Sequence, residues 1–321
     1  MKQKIALISG ITGQDGAYLS KLLLEKNYKV FGFVRNKDNY FNLEYLKIKN
    51  KINFIEINLN NLNEVSASIN NINPDEIYNF AAQSSVSISI QEPYNTINFN
   101  IISTLNLLES IRLSKKDIKM FQPSSSEMYG NPEKLPINES SKFSHKNNPY
   151  AASKISAHEI CLLYRDLYKL FVCCGIMFNH ESYLRGPNFF VKKVIREAIE
   201  IQKGLRDFML LGNIQTKRDF GFAPEYVKAI WLMLQQDKPD DYIVSCGKSV
   251  SLQDIVYYVF DKLNIDKNKI KIDKNLLRPV EVMDCYGDST KAKNVLGWDY
   301  NLDFYQVLDL LIKEELANCL I

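Results

Sequence analysis

The sequence predicts an α/β fold in which a doubly wound parallel sheet is joined to a smaller interleaved α/β lobe. Three observations carry this prediction. Short apolar runs alternate with segments of helical periodicity through the first 170 residues, which is typical of parallel strands connected by helices. The first apolar run ends in a glycine-rich turn that leads directly into a helix. The 321 residues are enough for one large α/β unit or two closely joined lobes.

The elements of the first half follow from the spacing of apolar residues. A strand is predicted at residues 4–10, where glycine stops an apolar run, and a helix at 17–27, where apolar residues recur at helical spacing. The same reasoning predicts further strands within 28–34, 51–59, 76–82 and 118–126, and helices around 62–72 and 98–115.

The second half is less regular, and it predicts a second lobe. Strands are expected at 171–178 and 242–245, with helices near 190–203, 224–236, 251–263 and 303–315. No linker rich in Gly, Pro or Ser separates the halves, so the lobes should be interleaved. We expect a larger domain at 1–170, completed by parts of 171–180 and 211–236, and a smaller lobe from 181–210 and 237–321. The cleft between them is the expected binding site.

The composition argues against several classes of protein. Forty basic and 37 acidic residues give a net charge of +3, without the basic excess of a nucleic-acid binder. No secretory signal and no apolar run of membrane-spanning length is found, so a soluble cytoplasmic protein with reduced thiols is expected. The cysteines and histidines lack metal-ligand spacing, and no metal site is expected; these residues are Cys161, Cys173, Cys174, Cys246, Cys285, Cys319, His145, His158 and His180.

The turn after the first strand, "GITGQDG", predicts a dinucleotide site of the Rossmann type. It places Gly10, Gly13 and Gly16 between a strand and a helix. Glycine permits a tight turn and lets the backbone approach a pyrophosphate at the helix N-terminus, where free N–H groups favour negative charge. The alternative is a plain structural turn, but the strand–turn–helix context favours the phosphate site.

The end of the second predicted strand bears on which dinucleotide is bound. An acidic residue there would bind a ribose 2′-hydroxyl, whereas an arginine accommodates a 2′-phosphate. The chain reads Val34, Arg35, Asn36 and Lys37 at this point, which favours NADP over NAD. The alternatives are a solvated basic turn and an arginine that faces a neighbouring subunit.

The segment "PYAASK" places Tyr150 and Lys154 four residues apart, so both project from one face of a helix that Pro149 helps to begin. A nearby ammonium and a cationic cofactor would lower the pKa of the phenol, so that it could remove a proton from a sugar hydroxyl. Upstream, "FQPSSSEMYG" places Glu127 two residues after Ser125 at a predicted strand end. Hydroxyls beside a carboxylate suit proton transfer, although a solvated turn would read the same.

Together these motifs resemble the extended short-chain dehydrogenase/reductase family, and more narrowly the GDP-mannose 4,6-dehydratases. The matching segments occur in family order over nearly the whole chain: "GITGQDGAYL", "YNFAAQSSV", "FQPSSSEMYG", "NPYAASK", "GIMFNHES", "LGNIQTKRDFGFAPEYV" and "RPVEVMDCYGD".

The resemblance implies a reaction and a set of catalytic residues. Tyr150, supported by Lys154, would remove the O4 proton as the C4 hydride passes to NADP, and Ser125 would hydrogen-bond O4. Glu127 would move protons at C5 and O6 as water leaves, and hydride would return to C6 to give a GDP-4-keto-6-deoxy-sugar. The resemblance further implies cofactor contacts from Gly10, Thr12, Gly13, Gln14, Asp15, Gly16, Arg35, Asn58, Leu59, Ala81, Ala82, Tyr150, Lys154 and His180. For His180 a hydrogen-bonded core histidine is the alternative.

The resemblance also implies that the smaller lobe binds a GDP-sugar. The implied substrate contacts are Ser85, Asn179, Glu181, Lys193, Arg218, Arg278 and Glu281. The implied assembly is a homodimer or homotetramer, and such enzymes feed deoxysugar and nonulosonic (legionaminic) acid pathways of surface glycans.

Departures from the family pattern leave the sugar open. Ser125 stands where threonine is typical, Ser85 where histidine is typical, and Tyr183 and Leu184 replace a Pro-Arg pair. These changes suggest a roomier pocket with an altered wall, so GDP-N-acetylglucosamine, GDP-mannose and a GDP-heptose are all candidates. A nucleotide-sugar epimerase or 4-ketoreductase, in which Glu127 would be idle, and a non-catalytic NADP-binding protein are the competing hypotheses.

Overall fold

The computed structural model describes residues 2–35, 39–144, 148–277 and 281–318. The strands are β1 (Ile5–Ser9), β2 (Lys29–Val34), β3 (Asn53–Glu56), β4 (Glu76–Asn79), β5 (Lys119–Ser125), β6 (Val172–Met177), β7 (Asn179–Glu181), β8 (Met209–Leu211), β9 (Lys217–Phe222), β10 (Asp241–Val244), β11 (Ser249–Ser251) and β12 (Ile270–Ile272). The helices are α1 (Gln14–Glu25), α2 (Phe41–Tyr45), α3 (Leu62–Ile72), α4 (Val86–Gln91), α5 (Pro93–Ser114), α6 (Pro149–Tyr168), α7 (Phe190–Gln202), α8 (Ala223–Leu234), α9 (Leu252–Lys262) and α10 (Phe304–Asn318).

In the described ranges a seven-stranded sheet has the order β3-β2-β1-β4-β5-β6-β10, and all its pairs are parallel. The chain winds outward in one direction through β2 and β3, then crosses back and winds the other way from β4. The order therefore reverses between β1 and β4, which is where doubly wound sheets bind nucleotides. The predicted α/β fold with a Rossmann-type parallel sheet is confirmed.

Helices cover both faces of this sheet. On one face, α1 and α8 pack against β1, β2 and β6 through side chains such as Leu19, Leu23 and Ile230. On the other face, α3, α5 and α6 bury residues such as Ile69 and Leu108. Strands covered on both faces read as nearly continuous apolar runs, which is why they could be recognised in the sequence.

A second apolar core lies among α7, α9, α10 and the short strands. It includes Val194 of α7, Val259 of α9 and Leu308 of α10. A three-stranded sheet of order β11-β9-β7 and the β8–β12 pair belong to this half of the chain. The division into two lobes stays a proposal. Strand β10 lies in the range predicted for the smaller lobe, but it pairs with β6 in the large sheet. The larger domain must therefore include β10.

Asp219 on β9 ties these segments together. Its carboxylate accepts hydrogen bonds from the main-chain N–H groups of Cys246 (2.9 Å), Gly247 (3.0 Å) and Gly287 (3.4 Å). Burial raises the pKa of Asp219 to about 6, while the three N–H groups oppose that rise. One buried carboxylate thus fixes β9 to the loop after β10 and to the segment beyond residue 281.

The strands and helices predicted from periodicity are present, with bounds that differ by a few residues. The helix expected around 98–115 begins earlier, at Pro93, because proline is well suited to the first turn of a helix. Among the residues that the structure describes, none of the helices combines the length and apolar character needed to cross a bilayer.

Candidate active site

The candidate site lies at the carboxyl edge of the seven-stranded sheet. Its strands are parallel, so their carboxyl ends meet at one edge. The glycine turn follows β1, Ala81 and Ala82 follow β4, Ser125 ends β5, and Asn179 comes soon after β6. The topology therefore brings together residues predicted from distant segments, in the crevice where such sheets bind ligands.

The glycine turn is closely packed from both sides. Gly10 has φ +66°, and a Cβ on it would lie 2.6 Å from the main-chain N of Ala81. A Cβ on Gly16 would lie 2.5 Å from the carbonyl O of Gly10. Gly13 is the N-cap of α1. Because glycine has no side chain, this residue leaves the helix N-terminus uncovered. This arrangement fits the backbone cradle that a pyrophosphate requires.

An ion pair links the start of α1 to β7. The Nε2 atom of His180 lies 3.0 Å from each carboxylate oxygen of Asp15, and Nδ1 lies 2.7 Å from the carbonyl O of Phe178. Burial alone would raise the pKa of Asp15, but His180, helped by Arg185, holds it below its ordinary value. His180 is buried and bonded through both ring nitrogens, as a core histidine would be, and it also borders the turn.

Other predicted cofactor residues lie within the turn or follow strands β2 and β3. Arg35 is exposed directly after β2, with its guanidinium 5.8 Å from the ring centroid of Phe99. The carbonyl of Thr12 accepts a hydrogen bond from Asn42 at 2.8 Å. Beyond β3, Asn58 is exposed and Leu59 is buried. Asn36 and Lys37 lie outside the described residues.

Ser125 and Glu127 lie where β5 passes into a 3₁₀ helix, Ser126–Tyr129. Ser125 is the N-cap of this helix, and its Oγ accepts a hydrogen bond from the main-chain N–H of Glu127 at 3.2 Å. The cap turns the chain sharply, so the carboxylate two residues later stays beside the hydroxyl. Asn148 donates from Nδ2 to Glu127 Oε2 at 3.2 Å.

Tyr150 and Lys154 lie on α6 and face the same strand end. The Lys154 ammonium donates to the carbonyl O of Pro123 at 2.8 Å and lies 5.8 Å from the Tyr150 ring centroid. Burial raises the pKa of Tyr150 to about 12, although a hydrogen bond with Ser125 opposes the rise. Burial also lowers the pKa of Lys154 to about 8. The four predicted catalytic residues, Ser125, Glu127, Tyr150 and Lys154, are thus brought together.

Sequence reasoning missed Asn148. Its Oδ1 accepts the N–H of Ala151 at 2.9 Å, so the side chain caps α6. The signal was present, because asparagine directly before a proline at a helix start is a typical N-cap pattern. Its contact with Glu127 could not be predicted, since that residue lies 21 positions earlier.

Asn179 and Glu181 lie on β7, beside β9. Glu181 is buried, and Oε2 of its carboxylate has no hydrogen-bond partner within the described structure. Burial raises the pKa of Glu181, and the Arg185 guanidinium, with Nε 3.7 Å from Oε1, opposes the rise. A buried carboxylate with an unsatisfied oxygen is costly to the fold and fits a residue held in place for a ligand.

Other predicted substrate residues are spread over the second half of the chain. Arg218 on β9 donates from Nη1 to the carbonyl O of Val282 at 2.7 Å, which places it against the main chain next to Glu281. Lys193 on α7 donates to the carbonyl O of Leu210 at 2.9 Å. Arg278 lies outside the described residues.

Ser85 is buried at the start of α4. Its Oγ accepts the N–H of Ile88 at 3.4 Å and lies 2.9 Å from the Ser87 hydroxyl. Either hydroxyl could be the donor of the latter bond. Ser85 therefore caps its own helix and can keep its proton for a further acceptor.

Tyr183 packs between α2 and α7. Its ring packs against Tyr45 of α2, with 4.8 Å between centroids, and under the Lys192 ammonium at 3.8 Å. Its effect on a wall near the sugar stays a prediction. Leu184 belongs to the core beneath α1 and α8. The aromatic ring prefers the apolar and cationic neighbours offered by α2 and α7.

The chain is similar to known proteins over nearly its whole length. The family model described as GDP-mannose 4,6 dehydratase matches residues 7–311. The chain is 42% identical over 334 residues to GDP-mannose 4,6 dehydratase 2 of Arabidopsis thaliana, covering 98% of this chain and 87% of the relative. It is 35% identical over 353 residues to GDP-mannose 4,6-dehydratase of Sinorhizobium fredii, covering 98% and 97%.

A solved structure shows the same fold. The chain superposes with a TM-score of 0.84 on dTDP-glucose 4,6-dehydratase from Bacillus anthracis in complex with NAD, covering 97% of this chain and 96% of that one. At 22% identity this likeness shows the fold alone. The family model and the two sequence relatives go further, and the chain belongs to the GDP-mannose 4,6 dehydratase family of extended short-chain dehydrogenases/reductases.

Proposed function

We propose that this protein is a GDP-sugar 4,6-dehydratase that forms a GDP-4-keto-6-deoxy-sugar. The observation that carries the proposal is the placement of Glu127 beside the Ser125 and Tyr150 hydroxyls at one strand end. Loss of water across C5 and C6 needs a group that takes a proton from carbon and gives one to oxygen, in addition to the base that acts at O4. The names of the relatives support the GDP-sugar class.

The cofactor proposed is NADP. The glycine turn would hold the pyrophosphate, Arg35 would meet the 2′-phosphate, and Asp15, Asn58, Leu59, Ala81, Ala82 and His180 would border the rest. When bound, the dinucleotide would accept a hydride from C4 and return it at C6. The related structure from Bacillus anthracis holds NAD, so the preference for NADP rests on Arg35.

Tyr150 and Ser125 would act at O4. The phenol is neutral at pH 7 in the protein alone because burial raises the pKa of Tyr150 to about 12. Proton removal therefore requires positive charge nearby. Lys154 supplies part of it, because a pKa of about 8 leaves this amine mostly protonated at pH 7. The Ser125 hydroxyl can donate to the phenolate or to O4 as the proton moves.

Glu127 would act at C5 and O6. It is half-buried, next to the tyrosine that forms the 4-ketone, and that ketone acidifies the C5 hydrogen. The same carboxyl group would then deliver the proton to the departing O6, so water leaves without a second acid. An epimerase or 4-ketoreductase uses the tyrosine and lysine alone, and the carboxylate would have no task.

The nucleotide sugar is assigned to the cleft faced by β7, β9 and the segment after Glu281. Arg218, Lys193, Asn179 and Glu181 supply charged and polar groups there. Arginine is suited to phosphate because its planar group can donate two hydrogen bonds at once.

Exposed apolar side chains on α5 and α6, including Tyr94 and Leu167, support the expected homodimer or homotetramer.

The role of Glu127 can be tested by Glu127→Gln. The amide keeps the volume but cannot carry protons, so substrate should still bind while water loss falls by about 10² to 10⁴ in rate. The exposed Glu133, changed to Gln, is a matched control that should keep full activity. Product mass spectrometry after incubation with GDP-mannose measures water loss. Turnover of the Glu127 variant within a few-fold of wild type would show that the mechanism is wrong.

The role of Arg35 can be tested by Arg35→Asp. A carboxylate repels a 2′-phosphate and can accept from a ribose hydroxyl, so NADP affinity should fall about 10- to 100-fold and NAD should become the preferred dinucleotide. Lys313→Asp on α10 makes the same change of charge elsewhere and should leave the preference intact. Calorimetric titration with each dinucleotide measures the two affinities. Equal affinity of the wild-type protein for both would remove the assigned role.

The buried Lys154 ammonium should lower the free energy of unfolding. A folded-state pKa near 8 against 10.5 unfolded means that, below pH 8, keeping the ammonium buried costs free energy. Lys154→Met should therefore raise the free energy of unfolding by about 1 to 2 kcal/mol at pH 7, after the lost bond to Pro123 is deducted, while activity is abolished.

The sign of the pH dependence follows from the same pKa. Between pH 8 and pH 10.5 the unfolded lysine binds more protons than the folded one, so wild-type stability rises with pH over this window. The advantage of the methionine variant should shrink accordingly, as measured by urea unfolding at several pH values. A variant that is less stable at pH 7 would contradict the account.

For the sugar, we propose that GDP-N-acetylglucosamine is preferred to GDP-mannose. Tyr183 packs on α2, so the proposal now rests on Ser85. A buried serine leaves more room than the histidine typical of the family, and its hydroxyl can donate to an acetamido carbonyl. The ratio of kcat/KM should favour the acetamido sugar by about 10- to 200-fold, and Ser85→His should reverse it. A wild-type ratio favouring GDP-mannose would sink this proposal and leave the dehydratase assignment intact.

A further inference from the structure

We propose that Asn148 is a positioning residue that holds Glu127 and the start of α6 in one fixed geometry. The inference rests on the proposed dehydratase function, because it concerns how the acid/base carboxylate is aligned. It follows from a side chain that makes two contacts at once, one with the helix that carries the tyrosine and one with the carboxylate.

The two arms of the Asn148 amide have different partners. Oδ1 accepts the N–H of Ala151 at 2.9 Å, and the main-chain carbonyl accepts the N–H of Ala152 at 3.0 Å. These bonds fix the residue to the first turn of α6. Nδ2 donates to Oε2 of Glu127 at 3.2 Å. A carboxamide is planar, so anchoring its oxygen also sets the direction of its N–H groups.

The contacts close a loop around the site. The Ser125 hydroxyl accepts the main-chain N–H of Glu127 at 3.2 Å, and it lies near enough to Tyr150 to oppose the rise in the pKa of that phenol. Tyr150 lies two residues after Asn148 on the same helix, and Asn148 reaches back to Glu127. The loop ties the group that acts at O4 to the group that acts at C5 and O6. A positioned acid/base depends on such support, since small misplacements cost large factors in rate.

Two of the described groups that face Glu127 are neutral near pH 7. Tyr150 and Cys285 face it, and burial raises the pKa of each to about 12, so both are neutral at pH 7. Lys154, with a pKa of about 8, is directed to the carbonyl O of Pro123. The Asn148 amide supplies a directed N–H to the Glu127 carboxylate.

The competing explanation is that Asn148 only caps α6. Serine, aspartate and asparagine are nearly equivalent N-caps, whereas alanine is a poor one. Serine is too short to keep the contact with Glu127, and aspartate replaces the donor with a carboxylate that repels it. Asn148→Ser and Asn148→Asp therefore keep the cap and remove the contact. Asn148→Ala removes both.

The experiment compares these variants with wild type by urea unfolding and by single turnover with GDP-mannose and GDP-N-acetylglucosamine. Reduced-nicotinamide absorbance reports C4 oxidation, and product mass reports water loss. Ser251→Ala, which removes the cap of α9 away from the proposed catalytic residues, is the control for a pure capping loss.

We expect Asn148→Ser to unfold like wild type, to oxidise C4 at nearly the wild-type rate, and to lose water about 10- to 100-fold more slowly, so that reduced cofactor accumulates. KM should change little. Asn148→Asp should be slower still and somewhat less stable, because its carboxylate repels that of Glu127, and Ser251→Ala should be less stable but fully active.

If Asn148→Ser loses water at the wild-type rate, the inference is overturned. The proposed function would still stand in that case, because the wild-type protein removes water. Equal slowing of both steps would also overturn it, because a general disturbance of α6 would explain that result. A wild-type protein that removes water from neither sugar would overturn the proposed function and this role together.

Discussion

The parallel pairing of β1, β4, β5 and β6 is the constraint on which the site depends. Parallel strands end at a common edge, so the glycine turn, the Ser125 hydroxyl and the start of β7 meet although they are far apart in the chain. The hydrogen bond from Lys154 to the carbonyl of Pro123 then fixes α6 against β5. Without that register, the tyrosine and the carboxylate would belong to unrelated surfaces.

The site contains buried polar groups that lower the stability of the fold. Lys154 and Glu181 are buried charged groups whose pKa values are shifted toward their neutral forms. The Glu181 carboxylate also has an oxygen without a hydrogen-bond partner within the described ranges. Groups of this kind lower stability, and they persist where a ligand or a reaction needs them. The apolar side chains buried on both faces of the large sheet offset this loss of stability.

Sequence reasoning predicted the large sheet because its strands are buried on both faces and read as apolar runs. It did not predict β9, nor did it predict β7, β8, β11 or β12, which have three residues each and are too short to show a period. Motif spacing identified Ser125, Glu127, Tyr150 and Lys154. Asn148 was missed, and the packing of Tyr183 on α2 was not predicted, because their contacts are with residues distant in sequence. Likewise, the high pKa of Tyr150 follows from burial, which spacing does not reveal.

The measurement that tests the account most directly follows one hydrogen atom. GDP-mannose carrying deuterium at C4, or the corresponding GDP-N-acetylglucosamine, is incubated with the purified protein, and the product is analysed by mass spectrometry and NMR. The account predicts a product lighter by one water that keeps its deuterium, now at C6, because the hydride taken from C4 returns there. A product of unchanged mass with inverted C4, or a ketone that has kept its C6 hydroxyl, would contradict it.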